Sequence, residues 1–140
     1  MLNIGVTPYN EGGVYMFELT ISVNFEAAHY INDYPGKCSR LHGHNWKVEV
    51  TVYGNKLGEL GMLVDFRDLK ASVNKIMVKL DHYCLNEIEP FCQINPTAEN
   101  IAKYIYDQLG ETGDFDQDVK IRSVKIWESP NSAATYHQEA

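Results

Sequence analysis

Two histidines, His42 and His44, stand two positions apart in the stretch CSRLHGHNWKVEV, and Cys38 lies just upstream of them. Side chains at positions i and i+2 of a β-strand project to one face, so a strand that begins here presents both imidazoles together. His29 ends the preceding apolar–polar alternation, and pairing of the two strands would bring it to the same end of a sheet. Three imidazoles with an open fourth position form a catalytic zinc site, whereas exposed histidines at a polar strand end are the alternative.

The role of Cys38 stays open on residue types alone. As a fourth metal ligand it would close the site and make the metal structural. Lys37 and Arg40 flank it in a polar loop, and positive neighbours favour a thiolate. This setting makes Cys38 the leading candidate for a base or nucleophile beside the metal.

An acid–base pair is indicated by Asp81 and His82, which follow one another in KLDHYCLNE. An aspartate near an imidazole stabilises the imidazolium and fixes the tautomer, as a proton-shuttling histidine requires. A polar helix end, with His82 near the negative end of the helix dipole, is the simpler alternative.

Glu128 is a further candidate because it shares strand parity with the apolar Val124 and Ile126. This parity predicts an inward-facing carboxylate at a strand end, able to accept two N–H bonds from a planar heterocycle. The alternative is an ordinary charge that faces solvent.

Six elements are predicted to position these side chains, by strand alternation and by helical spacing of apolar residues. They are strands over 17–26 and 45–52, helices over 66–80 and 98–109, and strands over 119–128 and 133–137. Asp65 and Thr97 are predicted N-caps, and Gly110 is the predicted stop of the second helix. The order β-β-α-α-β-β predicts an α+β fold, a four-stranded antiparallel sheet with both helices on one face. Such a sheet leaves two open edges, which favours pairing into an oligomer.

Composition narrows the class of protein. A chain of 140 residues, 44% hydrophobic, predicts a single domain over 1–140, with residues 1–14 as a loose N-terminal extension. A net charge of −7 without a Lys/Arg run argues against a nucleic-acid partner. The sequence has no basic N-terminal region followed by an apolar run, so no signal peptide is predicted. It has no long apolar stretch, so no membrane span is predicted. Three cysteines, an odd number, favour a reducing, cytoplasmic setting.

Six segments of the chain resemble the 6-pyruvoyl-tetrahydropterin synthase and 6-carboxytetrahydropterin synthase family. In family order they read FEAAHY, CSRLHGH, MLVDFRDLK, LDHYCLNE, NPTAENIAKYIYDQL and WESPNSAATY, and they cover about residues 25–136. The cysteine followed by three residues and His-Gly-His is the most specific of these motifs. Residues 1–14 have no obvious counterpart in the family.

The resemblance implies the tunnelling fold, in which sheets of three subunits form a barrel and two trimers stack into a homohexamer. Active sites then lie between subunits. The resemblance also implies one Zn²⁺ per subunit, bound by His29, His42 and His44, with Cys38 as the general base.

The remaining site residues implied by the resemblance concern the pterin. Asp81 and His82 would form the proton-relay pair, Glu128 would anchor the pterin ring and is often grouped with the relay, and Thr97 would lie in the segment that helps hold the ring. The substrate would be 7,8-dihydroneopterin triphosphate, and the enzyme a zinc-dependent carbon–oxygen and carbon–carbon lyase.

Two products are compatible with these motifs. The carboxy branch of the family cleaves the side chain, releases acetaldehyde and triphosphate, and feeds 7-deazaguanine (queuosine) biosynthesis. The pyruvoyl branch keeps the side chain and feeds tetrahydrobiopterin synthesis. The VDF segment before the first helix and the compact length resemble the carboxy branch more closely.

Two rival classes stay open. In a non-catalytic zinc- or pterin-binding protein, Cys38 would be the fourth ligand and no open position would remain. In a zinc hydrolase, His82 would act as base to a metal-bound water. Loss of turnover on removal of the Cys38 thiol separates the synthase from the hydrolase.

Overall fold

The computed structural model describes residues 16–138. Its elements are β1 (Phe17–His29), β2 (His42–Gly54), α1 (Phe66–Leu80), α2 (Ala98–Glu111), β3 (Lys120–Ser129) and β4 (Ser132–Tyr136). Single-turn 3₁₀ helices lie at Lys37–Ser39 and Leu85–Glu87. The order confirms the predicted β-β-α-α-β-β fold. The predicted extension over 1–14 lies outside the described residues.

The first two strands form a long hairpin whose register is set by apolar alternation. They pair antiparallel over 13 residues each, from Phe17 opposite Gly54 to His29 opposite His42. A slip of one residue would turn the apolar set to the outer face of the sheet, so burial fixes the register. The ladder therefore extends past the last apolar positions to the predicted histidines. The sheet continues in the order β1-β2-β3-β4, and all pairs are antiparallel.

Both helices cover the same face of the sheet, with α1 against β1 and α2 against β3 and β4. The buried core joins the inner strand residues to the apolar stripes of both helices, for example Phe25, Trp46, Val48, Leu69, Ile105 and Ile126. Phe25 and Trp46 stack with ring centroids 5.9 Å apart. No helix within residues 16–138 is long and apolar enough to cross a membrane.

The helix starts are where the sequence predicts them, and one helix end is not. The Asp65 side chain accepts a hydrogen bond from Arg67 N, and Thr97 Oγ1 accepts one from Asn100 N. Gly110 was the predicted stop, but α2 continues through Glu111. The left-handed backbone instead falls at Gly113, with φ +65°. The prediction that a glycine marks the helix end was thus correct, but the glycine is Gly113 and not Gly110, which lies in the last turn of α2.

A loop after α1 covers one part of the exposed edge of β1. Along this edge, Glu26 N donates to Asp81 Oδ1, Ala28 N donates to Tyr83 O, and Glu26 O accepts from His82 N. The loop satisfies backbone groups that an edge strand would leave to water. It also places the predicted acid–base pair beside the histidine end of the hairpin.

Candidate metal centre and active site

Four side chains that could bind a metal ion meet at the end of the β1–β2 hairpin. The ligand atoms of His29, His42, His44 and Glu128 all lie within 4.8 Å of one another. The three imidazole centroids are 4.6, 4.7 and 5.0 Å apart. The hairpin register supplies the histidines, and the end of β3 supplies the carboxylate. The structure thus brings together the three predicted metal ligands.

Backbone carbonyls orient two of the three imidazoles. His29 Nδ1 donates to Pro96 O at 2.8 Å, and His42 Nδ1 donates to Arg40 O at 2.7 Å. These contacts place the proton on Nδ1, so the Nε2 lone pair of each ring is left for a metal.

Burial keeps the imidazoles in the form that binds metals. It lowers the pKa of His29, although the hydrogen bond to Pro96 acts in the opposite direction. Burial also lowers the pKa of His44, against the attraction of the Glu128 carboxylate. Since only a neutral imidazole has a free lone pair, both rings are ready for coordination near neutral pH.

The residues present fit the Zn²⁺ that the sequence predicts. His29 Nε2 and His44 Nε2 are buried and have no hydrogen-bond partner, which costs roughly 1–3 kcal/mol for each buried polar atom. Glu128 Oε1 lies 3.5 Å from the first and 3.0 Å from the second, but without the direction of a hydrogen bond. A divalent cation at the centre would satisfy these atoms, and imidazole with carboxylate suits zinc and several related ions.

The carboxylate at this centre is the main difference from the sequence expectation. Glu128 faces inward, as strand parity predicts, and its side chain is 33% exposed. Its oxygen lies within ligand range of the imidazoles, so Glu128 is a candidate fourth ligand in addition to its predicted role as pterin anchor. The sulfur of Cys38, the fourth ligand that residue types left open, is outside this group.

Asp81 and His82 form a contact of their own at the covered edge of β1. Asp81 Oδ2 lies 2.9 Å from His82 Nδ1. His82 has φ +64°, a left-handed conformation that is strained for a non-glycine residue. The Asp81 pKa is lowered, first by the hydrogen bond from Glu26 N and then by the one from His82. The arrangement holds an ionised carboxylate against Nδ1, and Asp81 makes no contact with Nε2.

Cys38 and Thr97 occupy turns next to the centre. Cys38 is partly exposed in the Lys37–Ser39 turn, where its carbonyl accepts a hydrogen bond from Ile31 N at 2.7 Å. Thr97 caps α2 and directly follows Pro96, whose carbonyl orients His29. The predicted roles of both residues remain predictions, and each turn is tied to the hairpin end that carries the histidines.

Two open clefts meet at His44. One, of about 550 Å³, is lined by His44, His82 and Glu26, among others. The second, of about 600 Å³, is lined by His44, Glu128 and Trp127, among others. A cleft of about 790 Å³ lies at the opposite end of the hairpin, near Tyr53, and includes none of the predicted site residues. The chemistry therefore points to the two clefts that share His44, although they are smaller.

Two contributors to this site were not singled out from the sequence. Glu26 holds the acid–base pair through its backbone, and Pro96 orients His29. Glu26 stands inside the FEAAHY motif, so its position three residues before a metal-type histidine was the available signal. The Pro96 contact spans 67 residues, and no local pattern predicts it.

The sheet order, the helices on one face and the histidine cluster at the hairpin end define a tunnelling-fold protein with a candidate metal centre. Residues 18–139 match the model of the 6-pyruvoyl tetrahydropterin synthase family, and the chain belongs to this family. It is accordingly an enzyme of the tetrahydropterin synthase type.

Relatives and solved structures agree on this placement. A protein of Archaeoglobus fulgidus, described as a putative 6-carboxy-5,6,7,8-tetrahydropterin synthase, is 44% identical over 81% of this chain and 90% of its own. The 6-carboxy-5,6,7,8-tetrahydropterin synthase of Bacillus subtilis is 38% identical, over 87% and 86%. The structure of Caenorhabditis elegans 6-pyruvoyl tetrahydropterin synthase aligns with a TM-score of 0.79 at 25% identity, covering 89% of this chain and 97% of that one.

Proposed function

We propose that this protein is a 6-carboxy-5,6,7,8-tetrahydropterin synthase that converts 7,8-dihydroneopterin triphosphate to 6-carboxytetrahydropterin, with release of acetaldehyde and triphosphate. The curated relatives at 30–44% identity carry the carboxy name. The observation that carries the proposal is His44, which lines both the cleft of the acid–base pair and the cleft of the Glu128 carboxylate. A substrate whose ring is bound in one place and whose side chain reacts in another needs two adjoining clefts with a lining residue in common.

In this proposal His29, His42 and His44 hold a Zn²⁺ ion. When bound, the ion supplies a positive charge that stabilises negative charge developing on the oxygens of the substrate side chain. The chain's own part is to fix the rings: Pro96 and Arg40 carbonyls hold two imidazoles by Nδ1.

Proton transfer falls to two groups on either side of this centre. Cys38 is the proposed base, as a free and partly exposed cysteine in the Lys37–Ser39 turn that precedes His42. His82 is the proposed partner acid and base, held by Asp81 at Nδ1 so that Nε2 exchanges the proton. Two groups at separate positions allow protons to leave one carbon and return at another.

Glu128 is proposed to orient the pterin. Its two carboxylate oxygens can accept the paired N–H groups of a planar ring, and it lines a cleft together with Trp127. Because this role uses both oxygens, Oε1 is assigned to the pterin, and the three imidazoles hold the metal. Thr97, next to Pro96 at the start of α2, is proposed to support the segment along the ring.

The pyruvoyl product is the second candidate. It is favoured by the solved structures, whose descriptions include the 6-pyruvoyl tetrahydropterin synthases of Caenorhabditis elegans and Plasmodium falciparum, each 25% identical to this chain. The higher identity of the carboxy relatives favours the first product.

Mass spectrometry of the product tests the proposal. The purified protein, loaded with Zn²⁺, is incubated with 7,8-dihydroneopterin triphosphate, and the carboxylated and pyruvoyl pterins are distinguished by mass. We expect the carboxylated product and acetaldehyde, no turnover after removal of the metal with a chelator, and recovery on addition of Zn²⁺. A pyruvoyl product would establish the second candidate, and no product with the metal-loaded protein would refute both.

We also propose how the enzyme assembles and where in the cell it acts. One domain over 1–140 would assemble as a homohexamer of two stacked trimers in the cytoplasm, acting in queuosine biosynthesis. The open edge of β1 beyond the Asp81–Tyr83 loop supports assembly through the sheet.

A further inference from the structure

Glu26 touches the acid–base pair through both of its backbone polar groups. Its N–H donates to Asp81 Oδ1 at 2.8 Å, and its carbonyl accepts from His82 N at 2.6 Å. Because β1 is rigidly paired with β2 along its length, residue 26 fixes where the pair stands. It also fixes the strained backbone of His82, whose φ is +64°.

The side chain of Glu26 also lies close to the imidazole of His82, at the ring nitrogen that Asp81 does not contact. Glu26 Oε2 lies 3.6 Å from His82 Nε2, while Asp81 Oδ2 lies 2.9 Å from His82 Nδ1. The imidazole therefore stands between two carboxylates, one at each ring nitrogen. Each ring nitrogen thus faces a carboxylate oxygen, and the two contacts together orient the ring.

The contact between the Glu26 and His82 side chains contributes little to folding stability, which favours a functional role for it. The side chains of Glu26 and His82 are 62% and 74% exposed, and exposed ion pairs contribute little to folding. The same cleft also presents His44, Tyr83 and Cys84 as titratable neighbours. Glu26 is the carboxylate among the described residues that line this cleft, and Asp81 and Glu128 contact its imidazoles from outside the lining.

We propose that Glu26 is a positioning residue of the reaction, the third member of an Asp81–His82–Glu26 relay. It orients the His82 ring so that Nε2, the atom proposed to exchange a proton with the substrate, lies at the cleft that His82 shares with His44. The inference rests on the proposed synthase function, which assigns proton transfer to His82.

Three variants test the relay. Glu26→Gln keeps the size and the backbone contacts and removes the charge, and Glu26→Asp keeps the charge on a shorter side chain. Glu18→Gln is the matched control, because Glu18 lies on the same face of β1, pairs with Arg122 at 2.8 Å and is 52% exposed. Eight residues of strand separate it from Glu26, about 26 Å at the usual rise.

We expect Glu26→Gln to lower kcat about two- to fivefold, the range set by an exposed ion pair, with KM unchanged. Glu26→Asp should recover part of the loss, and Glu18→Gln should match the wild type. Independently of turnover, the ¹⁵N NMR signals of the His82 ring in the zinc-loaded protein should differ between Glu26→Gln and the wild type at the same pH, because the contact at Nε2 is changed.

The relay is overturned if Glu26→Gln leaves both kcat and the His82 ¹⁵N signals as in the wild type, or if Glu18→Gln causes the same loss. Should Glu26→Gln unfold at the assay temperature, the NMR signals and kcat of Glu26→Asp decide in its place. A wild-type protein without turnover would refute the proposed function instead, and the ring signals would still decide whether Glu26 acts on His82.

Discussion

At the scale of single residues, the site is made of side chains whose directions are fixed by contacts outside the cluster. His29 is 2% exposed, and its ring is held by the Pro96 carbonyl. Asp81 is held by Glu26 N, and His82 by Asp81. These supporting contacts keep lone pairs and protons at defined atoms, which acid–base and metal chemistry both require.

Replacement of Cys38 by alanine tests the proposed base. We expect Cys38→Ala to lower kcat at least about a hundredfold, the lower range for loss of a general base, while zinc content and folding are retained. Turnover and metal content are measured on the same preparation. Ser39→Ala, in the same turn, is the control and should keep most of the activity. A Cys38→Ala protein with near-normal turnover would favour the zinc hydrolase.

The lowered pKa of Asp81 predicts a pH dependence of stability. A carboxylate whose pKa is lower in the folded than in the unfolded state stabilises the fold above the unfolded pKa, and this contribution is lost as pH falls through the folded pKa. We therefore expect Asp81→Asn to be less stable than the wild type at pH 7. The difference should shrink below about pH 4, the usual range of aspartate titration. Urea unfolding across this range measures it, and a difference independent of pH would contradict the assignment.

At the scale of elements, the loop after α1 connects the helix layer to the edge of the sheet. Asn86, which is 8% exposed, accepts from Tyr30 N at 2.9 Å and donates to Tyr30 O at 3.0 Å. The side chain thereby replaces a strand neighbour just beyond His29. The last residues of β1 and the acid–base loop are held as one unit.

Removal of this side chain is expected to weaken the fold. Asn86→Ala leaves partly buried backbone groups of Tyr30 without partners, which costs about 1–3 kcal/mol. Chemical denaturation measures the loss, and Asn74→Ala on the exposed face of α1 is the control, with an expected change within about 0.5 kcal/mol. Equal stability of the two variants would show that water replaces the amide.

Across the whole molecule, the outer face of the sheet and its two edge strands lack a further strand as partner within residues 16–138, and a loop covers only the end of the β1 edge. Ser22 is exposed on the outer face and lies beyond the part of β1 covered by the loop. Its N–H has the same parity as Glu26 N and Ala28 N, which point away from β2. This is the edge through which subunits are proposed to pair.

Proline at position 22 tests edge pairing with little disturbance of the hairpin. Ser22→Pro removes an N–H that the β1–β2 ladder does not use, so the subunit should fold while the assembly dissociates into smaller species. Light scattering after size-exclusion chromatography gives the mass, and Ser22→Ala should keep the wild-type assembly. An unchanged mass for Ser22→Pro would mean that assembly does not use this edge.

Features that depend on local pattern could be predicted from the amino-acid sequence. Alternation predicted the two strands and the parity of their side chains, so the common face of His42 and His44 followed from parity, and the nearness of His29 followed from pairing of the two strands, which the structure shows. The caps Asp65 and Thr97 were also predictable, because a cap acts within its own turn.

Contacts between distant segments could be seen only in the folded protein. It placed Glu128 against the imidazoles, Pro96 on His29, and Glu26 around Asp81 and His82. These partners are far apart in the chain, and their meeting depends on how the helix layer and the loop after α1 pack on the sheet. Local sequence patterns do not predict that packing, because many sequences with the same alternation could place their connecting loops elsewhere.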